Sequence, residues 1–566
     1  MLRTTTQNPT NRINTIILIV VLIGVLIGIR LFFLQVVNYS YYEARAEGQQ
    51  SFKKILEAKR GNILAKTKTG EEVFLAATRN GYILFLNNKL LQVQEKDWLY
   101  DKLNGVTPID KALFTKAVLK ENDPYEILKR RVSQNEADAI TALKLRGVGL
   151  EPESWRYYPL GMFAAHALGF IAESDKGELE GKYGIEKYYN LKLNGEEGAI
   201  VADRDANGLL IALGKQLVTD AEEGENITLT IDPDLQRFVE AETVKVMEKW
   251  SAISAGTIII EPKTGRIRAI VAAPAFDPNE YQKEKNLGVF LNPFTEKIFE
   301  MGSVFKPLTI AAALDRGVIT PETTYVDKGE VKIGTAVIHN YDYKARGTVN
   351  MTHILEESLN TGAVFAMQKV GGERLREYFH NYGLGEKLGI DLPGELKGDL
   401  SNLDSGREVE FATASFGQGI AVTPIELAMA LSSLGNGGKL MRPYLNAANS
   451  PQMIRQAIKP ETSTTISKML VDVVDLALAG GNAKIAGYSI AAKTGTAQIP
   501  KKDGKGYSDQ YLHTFFGYFP AYNPQYLILM FLEKPQGVKY ASHSLTDTFS
   551  ELVEFMISYY TIPPDR

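Results

Sequence analysis

Residues Ile16 to Ile29 form an unbroken apolar and glycine run, continued beyond Arg30 by Leu31-Phe32-Phe33-Leu34. A membrane-crossing helix needs about 20 residues of this kind, and the alternative, a buried core helix, rarely carries so long a run. Arg30 is tolerated if it lies near one interface and snorkels outward. The segment before the run carries Arg3 and Arg12 and no acidic residue, which predicts a cytoplasmic N-terminus. No small-residue cleavage site follows, so the helix is expected to stay as an anchor, with everything from about Asn38 onward outside the cytoplasm.

A chain of 566 residues has material for more than one domain beyond that anchor. From Tyr39 to about Gly224 the sequence is mixed, polar and rich in turn signals. Lys59-Arg60-Gly61-Asn62-Ile63-Leu64, Lys68-Thr69-Gly70 and Asn80-Gly81 read as hairpin turns. Asp123-Pro124-Tyr125 to Leu145 reads as two short helices around Ser133, an N-cap residue. Nothing in this stretch points to chemistry, and a pedestal holding the remainder off the membrane is the economical reading. Arg156-Tyr157-Tyr158-Pro159 and Gly184-Ile185-Glu186-Lys187-Tyr188-Tyr189 are read as packing segments.

Near Gly224 the pattern changes to longer, cleaner elements. Asn226–Ile231 predicts a strand, and Asp232-Pro233 opens a helix with Leu235, Phe238, Val239, Val244 and Met247 on one side. Thr257–Ile260 and Ile267–Val271 are apolar strands joined by the hairpin Glu261-Pro262-Lys263-Thr264-Gly265. Helices follow, then strands from Tyr488 to Phe531 and a closing helix around Phe549 to Tyr559. Strands at both ends with helices between predict one sheet closed by terminal segments, with helices on its faces.

Within this second half, Gly302-Ser303-Val304-Phe305-Lys306-Pro307 begins an apolar helix ending at Asp315-Arg316-Gly317. Ser303 is placed as its N-cap and Gly317 at its C-terminal cap. Ser303 and Lys306, three apart, share a face. A serine hydroxyl attacks only when something takes its proton, and a lysine can do so only when neutral. Burial and the positive end of the helix dipole both push a lysine that way, and free N–H groups there can hold an oxyanion. Downstream, Ser358-Leu359-Asn360 sits at a helix–helix junction able to point Ser358 and Asn360 into a cleft. Lys493-Thr494-Gly495-Thr496 lies on a strand where glycine admits a close ligand backbone and a free edge can pair with an extended peptide.

The chain also carries decoys: Ser51-Phe52-Lys53-Lys54, Ser133-Gln134-Asn135, Lys68-Thr69-Gly70 and Lys263-Thr264-Gly265 repeat the three motifs. Their contexts reject them, since only Ser303, Ser358 and Lys493 fall on a buried helix, an interhelical turn and a strand within one domain. There are no cysteines, so thiolate catalysis and Cys-ligated metals are excluded. Six scattered histidines form no H-E-x-x-H pair, and no metal or other cofactor is expected. A net charge of −4 argues against a general nucleic-acid binder.

With these motifs in place, the chain resembles the class B penicillin-binding proteins, the monofunctional peptidoglycan D,D-transpeptidases of division and elongation complexes. The resemblance also rests on Arg60-Gly61-Asn62-Ile63, Phe276-Asp277-Pro278-Asn279, Ser415-Phe416-Gly417-Gln418-Gly419 with Thr423-Pro424, and Phe516-Gly517-Tyr518 with Pro520-Ala521. Met301-Gly302 stands where the family usually has Pro-Gly, Ala492 precedes Lys493 in place of Gly, and Ala65 replaces a usual Asp. The resemblance implies a multi-domain α+β architecture: anchor and tail over 1–38, a pedestal or dimerisation-type domain over 39–224, and a transpeptidase domain over 225–566 with an antiparallel sheet and helices on its faces. It implies that Ser303 attacks the penultimate D-alanine carbonyl of a stem peptide with Lys306 as base. Ser358, assisted by Lys493, would relay a proton to the departing D-alanine, and Asn360 would bond the substrate amide. Thr494 and Thr496, beside Gly495, would hold the terminal carboxylate, with the N–H groups of Ser303 and Thr496 as oxyanion hole. Implied partners are peptidoglycan stem peptides, β-lactams, the membrane, a membrane-embedded glycosyltransferase and other cell-wall assembly proteins. A β-lactamase or β-lactam sensor, a carboxypeptidase and a silent scaffold are the competing readings; a lactamase would turn penicillin over, and a scaffold would never take it.

Overall fold

The computed structural model describes residues 9–42, 51–56, 58–91, 96–120, 122–175, 177, 179–203, 216–481, 483–501 and 506–566. Arg3 lies outside them. Helix α1 (Pro9–Phe32) runs on through a π-helical turn, Phe33–Val37. Its segment Ile13–Val37, of mean hydropathy 3.1 and with no buried residue, is long and apolar enough to cross a membrane, with Arg30 in the last turn of α1. The chain forms two compact units. One comprises Met1–Lys59 and Asn194–Gly224, in which Ser51–Leu56, Gly198–Asp203 and Gln216–Thr219 pair as an antiparallel sheet.

The other unit, Arg60–Leu193 with Glu225–Arg566, holds two larger sheets. Strands β1 (Ile63–Lys66), β2 (Glu72–Leu86), β3 (Glu126–Val132), β4 (Val148–Tyr157) and β5 (Ile227–Leu229) make the first, with β5 parallel to β1. The Lys68-Thr69-Gly70 turn stands as expected, with Gly70 at φ +87°. The expected turn at Asn80-Gly81 does not: both residues continue β2, opposite Ser154 and Glu153. Gly81 is there for close packing, because a Cβ would lie 2.4 Å from the Val132 carbonyl oxygen and 2.8 Å from the Trp155 ring. Nor do residues 60–62 turn back; they lead directly into β1. The first of the two helices expected after Asp123 is strand β3, which pairs with β2 and buries Leu128 and Val132, so long-range pairing overrides local propensity. The second is α2 (Gln134–Ala142), capped by Ser133 in a reciprocal box with Glu136.

Helix α3 (Pro233–Lys249) begins at the Asp232 cap and buries Leu235 and Val239, while Phe238 and Met247 pack at the margin and Val244 is exposed. The second large sheet has β6 (Ser254–Ile260), β7 (Ile267–Ala273), β8 (Ala491–Pro500), β9 (Tyr507–Phe519) and β10 (Tyr526–Glu533) in the antiparallel order β7-β6-β10-β9-β8. The two ends of this region therefore close one sheet, and β8 is one of its two edge strands. One face packs α3 and the closing helix α7 (Thr546–Tyr560) in a core with Phe515, Phe549 and Met556. The other carries the helices between β7 and β8.

The two expected packing segments of the first half meet through charge. Glu186 is fully buried and joins Arg60 at 2.5 Å and Arg156 at 2.6 Å, while Arg156 also donates to the Gly61 carbonyl. Removing one member of a buried ion cluster strands its partners without compensation. Glu186→Gln should therefore destabilise the fold by about 3–5 kcal/mol. Thermal and denaturant unfolding check this, and an unshifted transition would show that the arginines find other partners.

Candidate active site

The Ser303 turn differs from its expected geometry in one respect. Gly302–Phe305 is a 3₁₀ turn, and helix α4 starts only at Lys306 (Lys306–Asp315), so Ser303 is not an N-cap. Pro307 supplies the reason. In an α-helix the Ser303 carbonyl would accept from residue 307, whose nitrogen has no hydrogen; Lys306 N–H takes the bond instead, closing a tighter i→i+3 turn. Residues three apart eclipse in a 3₁₀ turn, which stacks Ser303 and Lys306 more closely than the α-helical reading did. Gly317, at φ +68°, ends α4 as expected.

The turn is seated from two sides. Gly302 N–H donates to the Gly417 carbonyl at 3.0 Å, and Thr309 Oγ1 to the Ser415 carbonyl at 2.8 Å, which gives the Ser415–Gly419 segment its role. Thr514 Oγ1 on β9 donates to the Met301 carbonyl at 2.9 Å. Gly495 on β8 lies directly beneath: a Cβ there would sit 2.7 Å from that carbonyl oxygen and 3.2 Å from Val304 Cγ1. Any side chain at 495 would thus push the serine turn off the strand.

Lys306 is completely buried. Its Nζ donates to the Ser358 carbonyl oxygen at 2.5 Å and lies 3.1 Å from the Ser358 hydroxyl. Burial first, and the nearby Lys493 second, hold this amine well below the ordinary lysine range. Lys493 is buried as well, donates to the Thr494 carbonyl at 3.1 Å, and is brought by burial down to about 7. Ser358 presents both oxygens to Lys306 from a left-handed conformation at φ +53°, a strained state for a non-glycine residue. It sits between the helix Met351–Glu356 and α5 (Asn360–Val370), as the sequence predicts.

Asn360 opens α5, and its Nδ2 donates to the His339 carbonyl at 2.9 Å, leaving its carbonyl oxygen for another partner. Thr494 and Thr496 are half-buried on the edge strand β8, and Thr496 Oγ1 accepts from Ala541 N–H at 3.0 Å. Ser303, Lys306, Ser358 and Lys493 are thus gathered around one buried amine and one sheet edge, with Asn360 and the two threonines flanking. The decoys are spent elsewhere. Ser51 is on a strand, the Ser133 hydroxyl caps α2, and Lys263-Thr264-Gly265 is a hairpin tip.

One support of the site joins segments that carry no shared sequence signal. Asp327, buried, accepts from Gly329 N–H, Asn340 Nδ2, Arg346 N–H and Thr361 Oγ1 at 2.7–3.0 Å, tying the neighbour of Asn360 to three separate segments. Only the Asp327-Lys328-Gly329 turn carried a local signal for it.

The pKa directions make a signed prediction. If Lys306 works as a base, acylation of Ser303 rises with pH as Lys306 loses its proton, on a limb far below 10.5. Lys306→Arg keeps the charge but cannot release it, and should be as slow as Lys306→Ala. Lys493→Gln removes a neighbouring amine that is positive below about pH 7, so the part of the limb below that pH should move to higher pH. Stopped-flow acylation across pH checks all three; an active Lys306→Arg would contradict the assignment.

Residues 255–554 match the penicillin binding protein transpeptidase domain, and residues 55–229 match the penicillin-binding protein dimerisation domain. The chain is 31% identical over 547 residues to stage V sporulation protein D of Bacillus subtilis, covering 93% of this chain and 82% of that one. It is 27% identical over 515 residues to the probable peptidoglycan D,D-transpeptidase PenA of Neisseria meningitidis, covering 90% and 85%. Its fold matches that of penicillin binding protein 2X from Streptococcus thermophilus with a TM-score of 0.75 at 23% identity, over 90% of this chain and 80% of the other. With both domain signatures present in order behind an apolar N-terminal helix, the chain belongs to the class B penicillin-binding proteins.

Proposed function

We propose that this protein is a serine-type peptidoglycan D,D-transpeptidase, and the observation that carries the reading is the buried Lys306 amine, one 3₁₀ turn from Ser303 and bonded to Ser358. Neutral Lys306 takes the Ser303 proton as Oγ attacks the carbonyl carbon of the penultimate D-alanine. The oxyanion is received by the N–H groups of Ser303 and Thr496, a preorganised pair of donors that favours the tetrahedral state. As the C–N bond breaks, the proton passes through Ser358, assisted by Lys493, to the departing D-alanine amine. The amine of a second stem peptide then attacks the ester, forms the cross-link and restores Ser303. Asn360 bonds the substrate amide, and Thr494 and Thr496 hold the terminal carboxylate. β-Lactams, which imitate the donor, acylate Ser303 and remain.

In this reading residues 1–38 anchor the protein with the N-terminus in the cytoplasm, 39–224 form the pedestal, and 225–566 work on the outer side of a bacterial cell membrane. The transpeptidase needs nascent strands, so a membrane-embedded glycosyltransferase and other cell-wall assembly proteins are its expected partners.

Incubation with labelled benzylpenicillin tests the reading. The parent should hold the label covalently through denaturation, and Ser303→Ala should hold none while unfolding at nearly the parent temperature, since truncating a half-buried serine removes little packing. Rapid turnover of the label would indicate a lactamase, and label on the Ala variant would remove Ser303 from the chemistry.

A further inference from the structure

Thr496 faces His513 across the β8–β9 ladder, which puts their side chains on one face of the sheet. His513 is fully buried and uses both ring nitrogens. Nε2 lies 3.1 Å from the Lys539 carbonyl oxygen, and Nδ1 lies 2.8 Å from Ser544 Oγ. A carbonyl can only accept, so Nε2 carries the hydrogen, and Nδ1 at 2.8 Å takes the serine hydroxyl hydrogen ahead of the Ala541 carbonyl oxygen, which lies 3.3 Å from the same Oγ. Burial, which holds this imidazole down at about 4, keeps that tautomer uncharged at neutral pH.

The two bonds grip both ends of one short segment. Lys539 precedes helix α6 (Ala541–Ser544) and Ser544 ends it. Between them, Ala541 N–H points at Thr496 Oγ1. An oxygen that accepts this N–H keeps its own hydrogen for another partner, so the Thr496 hydroxyl is set up as a donor. From β8, an edge strand of the sheet, its natural acceptor is a carboxylate on a peptide lying along the strand.

We infer that His513 is a positioning residue: it clamps the Lys539–Ser544 segment so that the Ala541 amide fixes the Thr496 hydroxyl as a donor to the substrate carboxylate. The inference rests on the proposed carboxylate-holding role of Thr496. His513 touches no substrate; it acts through the segment it holds.

The test is a cycle of variants in the full chain, read as the second-order rate of Ser303 labelling by benzylpenicillin, which carries the matching carboxylate. Thr496→Val should label about tenfold more slowly, the scale of one hydrogen bond to a charged partner. His513→Leu should lose about as much, with the loss in half-saturation rather than in the limiting rate. In the Thr496→Val background the same change should cost less than about twofold, because there is no hydroxyl left to orient. His513→Gln, which retains a donor and an acceptor, should recover most of the rate. If His513→Leu does not fold, Ser544→Ala deletes only the serine hydroxyl and should show the same loss, which again disappears in the Thr496→Val background. Parent-like labelling by folded His513→Leu or Ser544→Ala, or an equal loss in both backgrounds, overturns the inference. If Thr496→Val itself labels like the parent, the carboxylate-holding reading falls first and the inference with it; an unlabelled parent contradicts the proposed function as a whole.

Discussion

The site is built around an amine that water cannot reach. Charged, Lys306 would cost several kcal/mol of desolvation, and Lys493, whose charge opposes its own, is a second buried amine of the same sign. The cost is relieved by releasing a proton, and the neutral amine that results is the species a serine nucleophile needs. The sign for stability follows. Lys306 has a folded-state pKa below its unfolded value, so its penalty is absent above about 10.5 and grows as the pH falls from there towards the lowered value. In the proposed role of Lys306 as base, stability is given up to keep that base in its working form, a familiar exchange at functional sites.

Positions around the amine follow from backbone constraints more than from side-chain chemistry. Pro307 tightens the turn that stacks Ser303 on Lys306. Gly495 lets that turn rest on the edge strand, and Ser358 is held in a left-handed conformation that turns both its oxygens to the lysine. Asp327 then binds the segments beside α5 into one polar hub. A site made this way rests on helix starts and a sheet edge, elements that hold geometry better than free loops do.

Much of this could be read in the sequence because the signals were local. The helix behind Ser303, the junction at Ser358, the Lys493 strand, the Glu261–Gly265 hairpin and the Asp232-Pro233 helix start each lie within a dozen residues of their own evidence. The failures share the opposite property. Asn80-Gly81 has the composition of a turn but is extended because β4 pairs along most of β2, and Glu126–Val132 is a strand because β2 offers it an edge. Ser303 has the composition of a cap but lies in a 3₁₀ turn because the missing hydrogen of Pro307 acts four residues upstream. The hub at Asp327 and the clamp at His513 join segments far apart in the chain, and no spacing within either segment announces them.

The central claim is that Lys306 is a neutral base in the resting protein. Its own titration, followed by NMR of selectively labelled lysine side chains and assigned through Lys306→Arg, measures this directly. A neutral Lys306 gives a signal in the uncharged position at neutral pH, with no step near 10.5. A signal that titrates in the ordinary lysine range, alongside the exposed lysines, would contradict it.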